Sequence, residues 1–220
     1  MVSGQLGKEK NHFEAPVASR VHEEMKHFLA WVNEEASLDL VLKAALAHLW
    51  FVTIHPFDDG NGRIGRAIVD FFLVRSEKCS HRFYSLSEQI QIDRNRYYAI
   101  LERTQKGTLD VTAWLEWFLG CLARAIEKAL GMLERVLDKA RTWKALAHVA
   151  LNERQCKVLN RLLDGFEGKL TSSKWAKIAK CSQDTAYRDI IDLIEKGILV
   201  KNAEGGRSSS CSLAEQKPKN

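Results

Sequence analysis

A chain of 220 residues lies between one domain and two, and a composition of 45% apolar and 28% charged residues with six tryptophans excludes a disordered or collagen-like polymer. Three prolines, Pro16, Pro56 and Pro218, leave residues 57–217 free of the ring that breaks helices, which argues against an all-β sandwich or barrel. The net charge of +5 is uneven: residues 1–150 carry 20 Lys and Arg against 19 Asp and Glu, and residues 151–220 carry 13 against 9. That bias suits either an acidic partner for the last third or an ordinary solvated surface.

Before Pro16 there is no helical periodicity, so the stretch reads as a hairpin or a loose strand, with no apolar core of a signal peptide. Val21, Met25, Phe28, Leu29 and Val32 then form one stripe and predict a helix over Ala18–Asn33. Ser37, with Asp39 in the first turn, reads as the cap of a second helix that is apolar nearly all round to Ile54 and therefore central and buried. Pro56 should stop it at His55. Another helix is expected from about Arg63 through GRAIVDFFLVRS, then helices at about Asp93–Lys106 and Val111–Lys144, the last broken near Gly120 or Gly131. From Asn152 the pattern becomes an amphipathic helix, a short helix SSKWAKIAK capped by Thr171 or Ser172, a helix opened by Ser182, and two strands around AEGGR. That order is the order of a winged helix-turn-helix. The expected class is mainly α, with a helical domain over 1–145 and a winged helix-turn-helix over 146–220. Five scattered cysteines without a Cys-x-x-Cys pair predict reduced thiols. The longest uncharged run, Ala44–Phe57, is too short and polar for a bilayer, so the expected location is cytoplasmic, without a membrane partner.

Residues 55–66, His-Pro-Phe-Asp-Asp-Gly-Asn-Gly-Arg-Ile-Gly-Arg, place a histidine, two carboxylates, three glycines and two arginines between two apolar helices. Packing gives no reason for such polarity in that place. Gly60, Asn61 and Gly62 let backbone approach a ligand just before a helix whose free N–H groups attract anions. Arg63 and Arg66, three apart, can hold phosphate oxygens in a fork. Asp59 beside phosphates suits Mg²⁺, and His55 is a candidate base. Phe57 reads as a core plug. Taken singly, His55 can be an ordinary helix-terminal residue and Arg66 can pair with Asp70, but every such plain reading has to hold at once. A Rossmann glycine motif is rejected because a helix-length apolar run rather than a strand precedes Gly60, and a calcium loop because Arg63 occupies a position that needs an oxygen ligand and Gly65 sits one place late.

HPFDDGNGRIGR resembles the Fic signature His-Pro-Phe-x-(Asp/Glu)-Gly-Asn-Gly-Arg-x-x-Arg at every specified position. HFEAPVASRVHEEMKHFLAWVN resembles the flap (about residues 2–17) and following helix of the Fic/Doc family, and RNRYYAILERTQKGTLDVTAWLEWFL its later helices. The resemblance implies a Fic-type domain with a short β-hairpin flap that acts as a protein adenylyltransferase. AMP would pass from ATP to a Ser, Thr or Tyr hydroxyl of a target protein, releasing pyrophosphate. It further implies His55 as the base, Asp59 as the Mg²⁺ ligand and Gly60, Asn61 and Gly62 as the anion hole. Arg63 and Arg66 would clamp the distal phosphates, Tyr98 and Gln105 would contact adenine, and the flap near His12–Pro16 would align the target by strand addition. Other phosphate-bearing donors occur on the fold, and a regulator that modifies itself or a partner is the alternative.

The family's inhibitory motif, (Ser/Thr)-x-x-x-Glu-(Gly/Asn), is not matched: Glu167-Gly168 follows Leu163 and Glu204-Gly205 follows Val200. The resemblance therefore implies an Arg66 restrained only by a preceding segment or by another chain, and readier self-modification than in a full-length relative. In the tail, Lys174, Lys177, Lys180, Arg188 and Arg207 can meet phosphates while Ser182, Gln183, Asp184 and Thr185 face bases. Asp184, Asp189 and Asp192 on the same helix argue instead for protein docking or a homodimer.

Overall fold

A computed structural model describes residues 2–3, 10–11, 15–34, 38–79, 82–202 and 210–214. They belong to two units, Met1–Leu130 and Gly131–Asn220. Val2–Ser3 (β1) and Lys10–Asn11 (β2) pair antiparallel, Val2 opposite Asn11, so the hairpin alternative is the one realised. His12, Phe13 and Glu14 of the expected target-aligning flap lie outside the described residues.

Ala18–Asn33 (α1) has the bounds its stripe predicts. Leu40–Ile54 (α2) is capped by Asp39, whose carboxylate accepts from the Val41 and Leu42 N–H groups; Ser37, the cap expected from sequence, lies outside the described residues. It is the buried helix of the first unit, contributing Ala44, Ala45, Ala47, Leu49, Phe51, Val52 and Ile54 to the core. Two polar side chains are buried with it. Lys43 donates to the Glu34 carbonyl at 2.7 Å and lies over the Trp31 ring, and His48 Nε2 stands 3.0 Å from the Tyr97 hydroxyl.

Asn61–Glu77 (α3) packs along α2 and begins two residues before the Arg63 start expected from sequence, because Gly60 at φ +90° turns the chain directly into the helix. A Cβ on Gly65 would come within 3.1 Å of both Val52 Cγ1 and His48 Nδ1, so this glycine sets the distance between the two helices. Gly65→Ala is expected to destabilise the first unit by roughly 1–3 kcal/mol through overpacking, read as a lower urea midpoint. Asp70 pairs with Arg82, not with Arg66.

Leu86–Ile92 (α4), absent from the sequence reading, is signalled by Ser85, which caps the Glu88 N–H. Arg94–Gln105 (α5) and Thr112–Leu146 (α6) follow. The break expected near Gly120 or Gly131 does not occur. Each glycine weakens a helix by about 1 kcal/mol, while burying one large apolar side chain contributes about 1.5–3, and Trp114, Phe118 and Leu122 are all buried on this helix. The units divide inside α6 rather than at 145/146, since Trp143 and Leu146 pack into the second core. No helix among the described residues is long and apolar enough to cross a membrane.

In the second unit, Glu153–Leu163 (α7) opens with a reciprocal cap between Asn152 and Gln155. Leu170–Thr171 (β3), too short to show a period, leads into Ser172–Ala179 (α8), capped by Thr171. Residues 180–182 turn the chain, with Lys180 left-handed at φ 54°, into Gln183–Glu195 (α9), capped by Ser182. Leu199–Lys201 (β4) and Ser210–Leu213 (β5) complete an antiparallel sheet in the order β3-β5-β4. Trp175, Val158, Leu159, Ala186 and Leu193 fill its core.

Candidate active site

Helix α2 ends as Pro56 predicts, at His55, but by a left-handed step. His55 has φ 52° and ψ 55°, where a residue before proline ordinarily turns extended. Its N–H still closes on the Phe51 carbonyl at 3.1 Å, which fixes the backbone that carries the imidazole. Among the described residues the ring's buried Nδ1 has no hydrogen-bond partner, and the residue as a whole is half-buried. Approach to this histidine is therefore from the Nε2 side.

Asn61 is buried and clamps the loop: Phe57 N–H donates to its Oδ1 at 3.1 Å, and its Nδ2 donates to the Phe57 carbonyl at 2.5 Å. Its side chain is thus spent on shaping the turn. Phe57 is no core plug, since it is 49% exposed. The clamp holds its backbone at the mouth of an apolar groove of about 430 Å³, with Phe28 and Phe51 on one wall and Ile64 and Phe71 on the other.

The N-terminus of α3 has no side-chain cap, and Ile64 N–H, bonded to the Gly60 carbonyl at 2.9 Å, makes the first helical bond. The N–H groups of Asn61, Gly62 and Arg63 lie ahead of that bond, as the opening donors of any helix do. Both arginines lean over this end. A Cβ on Gly60 would be 3.7 Å from Arg63 Nη2, and one on Gly62 would be 3.4 Å from Arg66 Nη1. The space left by two absent side chains is thus bordered by two guanidiniums and backbone donors, the chemistry of an anion cradle. Gly62 has an ordinary helical φ, so Gly62→Ala is expected to leave stability within about 0.5 kcal/mol while the methyl group blocks the cradle. ATP affinity beside an unchanged thermal midpoint would show both effects.

Asp59, with its side chain 89% exposed, pairs with Arg63 Nη2 at 2.7 Å. Such a solvated pair contributes little and is readily exchanged for other partners. Among the described residues, no group of three His, Cys, Asp or Glu side chains could hold a metal unaided. One open carboxylate beside an anion cradle fits Mg²⁺, which is commonly held by one or two carboxylates and substrate phosphates. No carboxylate among the described residues pairs with Arg66.

The two residues expected at adenine both lie on α5. Gln105 reaches the end of α2, donating from Nε2 to Thr53 Oγ1 at 3.1 Å, and together with Trp31 and Trp50 lines a cavity of about 580 Å³. Tyr98 is 45% exposed, tilted against Tyr97 with Arg94 over its ring, and nothing among the described residues joins it to the loop. Thr53, His48 and Tyr97 were missed. The first two were detectable as polar interruptions of an otherwise apolar helix.

Residues 3–73 match the Fic/DOC family, and the match contains the whole loop 55–66. Over 58 residues the chain is 41% identical to protein adenylyltransferase fic-1 of Caenorhabditis elegans, covering 26% of this chain and 11% of that protein. It is 32% identical over 81 residues to the probable protein adenylyltransferase aq_aa38 of Aquifex aeolicus, covering 37% of this chain and 23% of that one. Over 105 residues it is 33% identical to protein adenylyltransferase Fic of Drosophila yakuba, covering 47% and 20%. The chain thus spans between about a tenth and a quarter of the length of these relatives. A Fic family protein from Desulfovibrio desulfuricans G20 aligns over 93% of this chain and 58% of its own, at 21% identity and a TM-score of 0.49. At the level of the family, the similarity supports a nucleotidyltransferase activity.

Proposed function

We propose that the first unit is a protein adenylyltransferase that transfers AMP from ATP to a Ser, Thr or Tyr hydroxyl of a target protein. The observation that carries the reading is the uncapped start of α3, a few residues after His55, where the absent side chains of Gly60 and Gly62 let the Arg63 and Arg66 guanidiniums close over the opening N–H groups. The opening N–H groups and the two arginines hold the triphosphate and offset the charge that develops on it. His55 takes the proton of the incoming hydroxyl at Nε2. The hydroxyl oxygen forms its bond to the α-phosphorus as the bond to the bridging oxygen breaks, and pyrophosphate leaves. Asp59 would hold Mg²⁺, which neutralises phosphate charge when bound. Gln105, anchored on Thr53, and Tyr98, exposed about two turns earlier on the same helix, are the candidates for the purine side.

The second unit is read as a winged helix-turn-helix, supported by the three-residue turn between α8 and α9 and by the β4–β5 hairpin that follows. Intact-mass measurement after incubation with ATP and Mg²⁺, together with labelled ATP on an added cell extract, tests the first reading. Gain of AMP by the chain or by an extract protein, absent with His55→Ala, supports it. No transfer from any nucleotide overturns it.

A further inference from the structure

Three aspartates on α9 make that helix look hostile to a polyanion when read from sequence alone. The fold buries one of them and engages a second in hydrogen bonds. Asp189 is buried and accepts from Arg154 Nε at 2.9 Å, Arg154 Nη2 at 3.1 Å and Asn152 Nδ2 at 2.9 Å. Asp192 accepts from Gln155 Nε2 at 2.7 Å and Lys196 Nζ at 2.6 Å. Both carboxylates therefore face α7, on the side where Ala186, Ile190 and Leu193 fill the core. The exposed first turns of α9 carry Gln183, Asp184, Tyr187 and Arg188. Across the turn, Lys174, Lys177 and Lys180 are exposed, and Gln183 Nε2 donates to Ser173 Oγ at 3.1 Å, tying the two helices together. Among the described residues none of Lys174, Lys177, Lys180 and Arg188 is ion-paired. This surface presents four unpaired cations against the single acid Asp184.

We propose that this surface binds duplex DNA, with the start of α9 in the major groove and Lys174, Lys177, Lys180 and Arg188 on the phosphates. A protruding helix enters the roughly 12 Å major groove of B-form DNA, whereas the deep, narrow major groove of A-form RNA excludes it. The inference rests on the helix-turn-helix reading of the second unit and is independent of adenylyl transfer. Arg207, part of the sequence expectation, lies outside the described residues and is not part of the surface.

The test uses the full chain and a labelled random-sequence DNA duplex, with anisotropy followed from low to high salt. Four phosphate contacts predict a slope of log K against log salt of about −3.6, at about 0.9 per contact. Lys174→Ala/Lys177→Ala/Lys180→Gly should lower that slope to about −0.9 and weaken low-salt binding at least about tenfold. Asp184→Asn should tighten it. Hydrogen exchange of the α8 and α9 amides, measured on every variant, checks the fold separately: unprotected amides in the unaltered chain would sink the helix-turn-helix reading itself. With the amides protected, absent duplex binding, binding that ignores the triple variant, or equal binding of an RNA duplex would each overturn the DNA proposal, and the first of these would leave the surface to a protein partner.

Discussion

His55→Gly is expected to be more stable than His55→Ala by about 1 kcal/mol, and both are expected to have lost AMP transfer by roughly 10²–10⁴-fold. The stability difference follows from the backbone. At φ 52° and ψ 55° a side chain crowds the following carbonyl, and glycine alone avoids that strain, in part offset by its greater freedom in the unfolded chain. Pro56 disfavours a right-handed helical conformation at His55, so α2 ends here, and the left-handed step keeps the N–H on Phe51. The chain thus holds a histidine where glycine would be the comfortable residue, as it holds Lys78 and Lys180 in the same left-handed step after other helices. The activity loss follows from removing the proton acceptor while the cradle at Gly60, Asn61 and Gly62 survives. Urea midpoints of the two variants, with AMP incorporation measured on each, are the check. Equal stabilities would contradict the strained backbone, and retained transfer would remove His55 from the mechanism.

Elements with a long period or a hard stop could be read from the chain: α1 from its stripe, α2 from its apolar run and Pro56, and the loop 55–66 from a polarity that nothing in packing requires. Short elements could not. The seven residues of α4 and the two of β3 hold too little of any period, although Ser85 with Glu88 was a usable sign. The remaining surprises are pairings across the sequence. Nothing local tells that Asp189 will meet Arg154, that Asp70 will take Arg82 rather than Arg66, or that Gln105 will reach Thr53. Glycines divide the same way. Gly60 and Gly62 were legible as cradle residues, but the spacer role of Gly65 appears only once α3 lies on α2.

The first unit is expected to lose stability on mild acidification because of one buried side chain outside the catalytic loop. Burial of His48 between Tyr97 and Trp114 lowers its pKa from 6.5 to about 4, with the nearby Gly65 backbone opposing and the charge of Arg66 acting in the same direction. Between those two values the unfolded chain binds a proton that the folded one refuses. The contribution is fully present above pH 6.5 and declines by about 1.4 kcal/mol per pH unit below it, to a total of about 3 kcal/mol near pH 4. The lowered aspartates, Asp93 and Asp189 among them, begin to lose their contributions only below about pH 5, where the unfolded carboxylates start to take up protons, and leave the interval from about pH 6.5 to 5 to His48. Exchange of the most protected α2 amides at pH 6.5 and pH 5 should therefore show an opening free energy smaller by about 2 kcal/mol at the lower pH. In His48→Gln, which cannot titrate, that difference should largely vanish even if the variant is less stable throughout. An undiminished difference in the variant would place the acid sensitivity elsewhere. If His48 behaves as described, the helix pair that presents both His55 and the α3 cradle loosens as pH falls, so AMP transfer and α2 protection should decline together below pH 6.5.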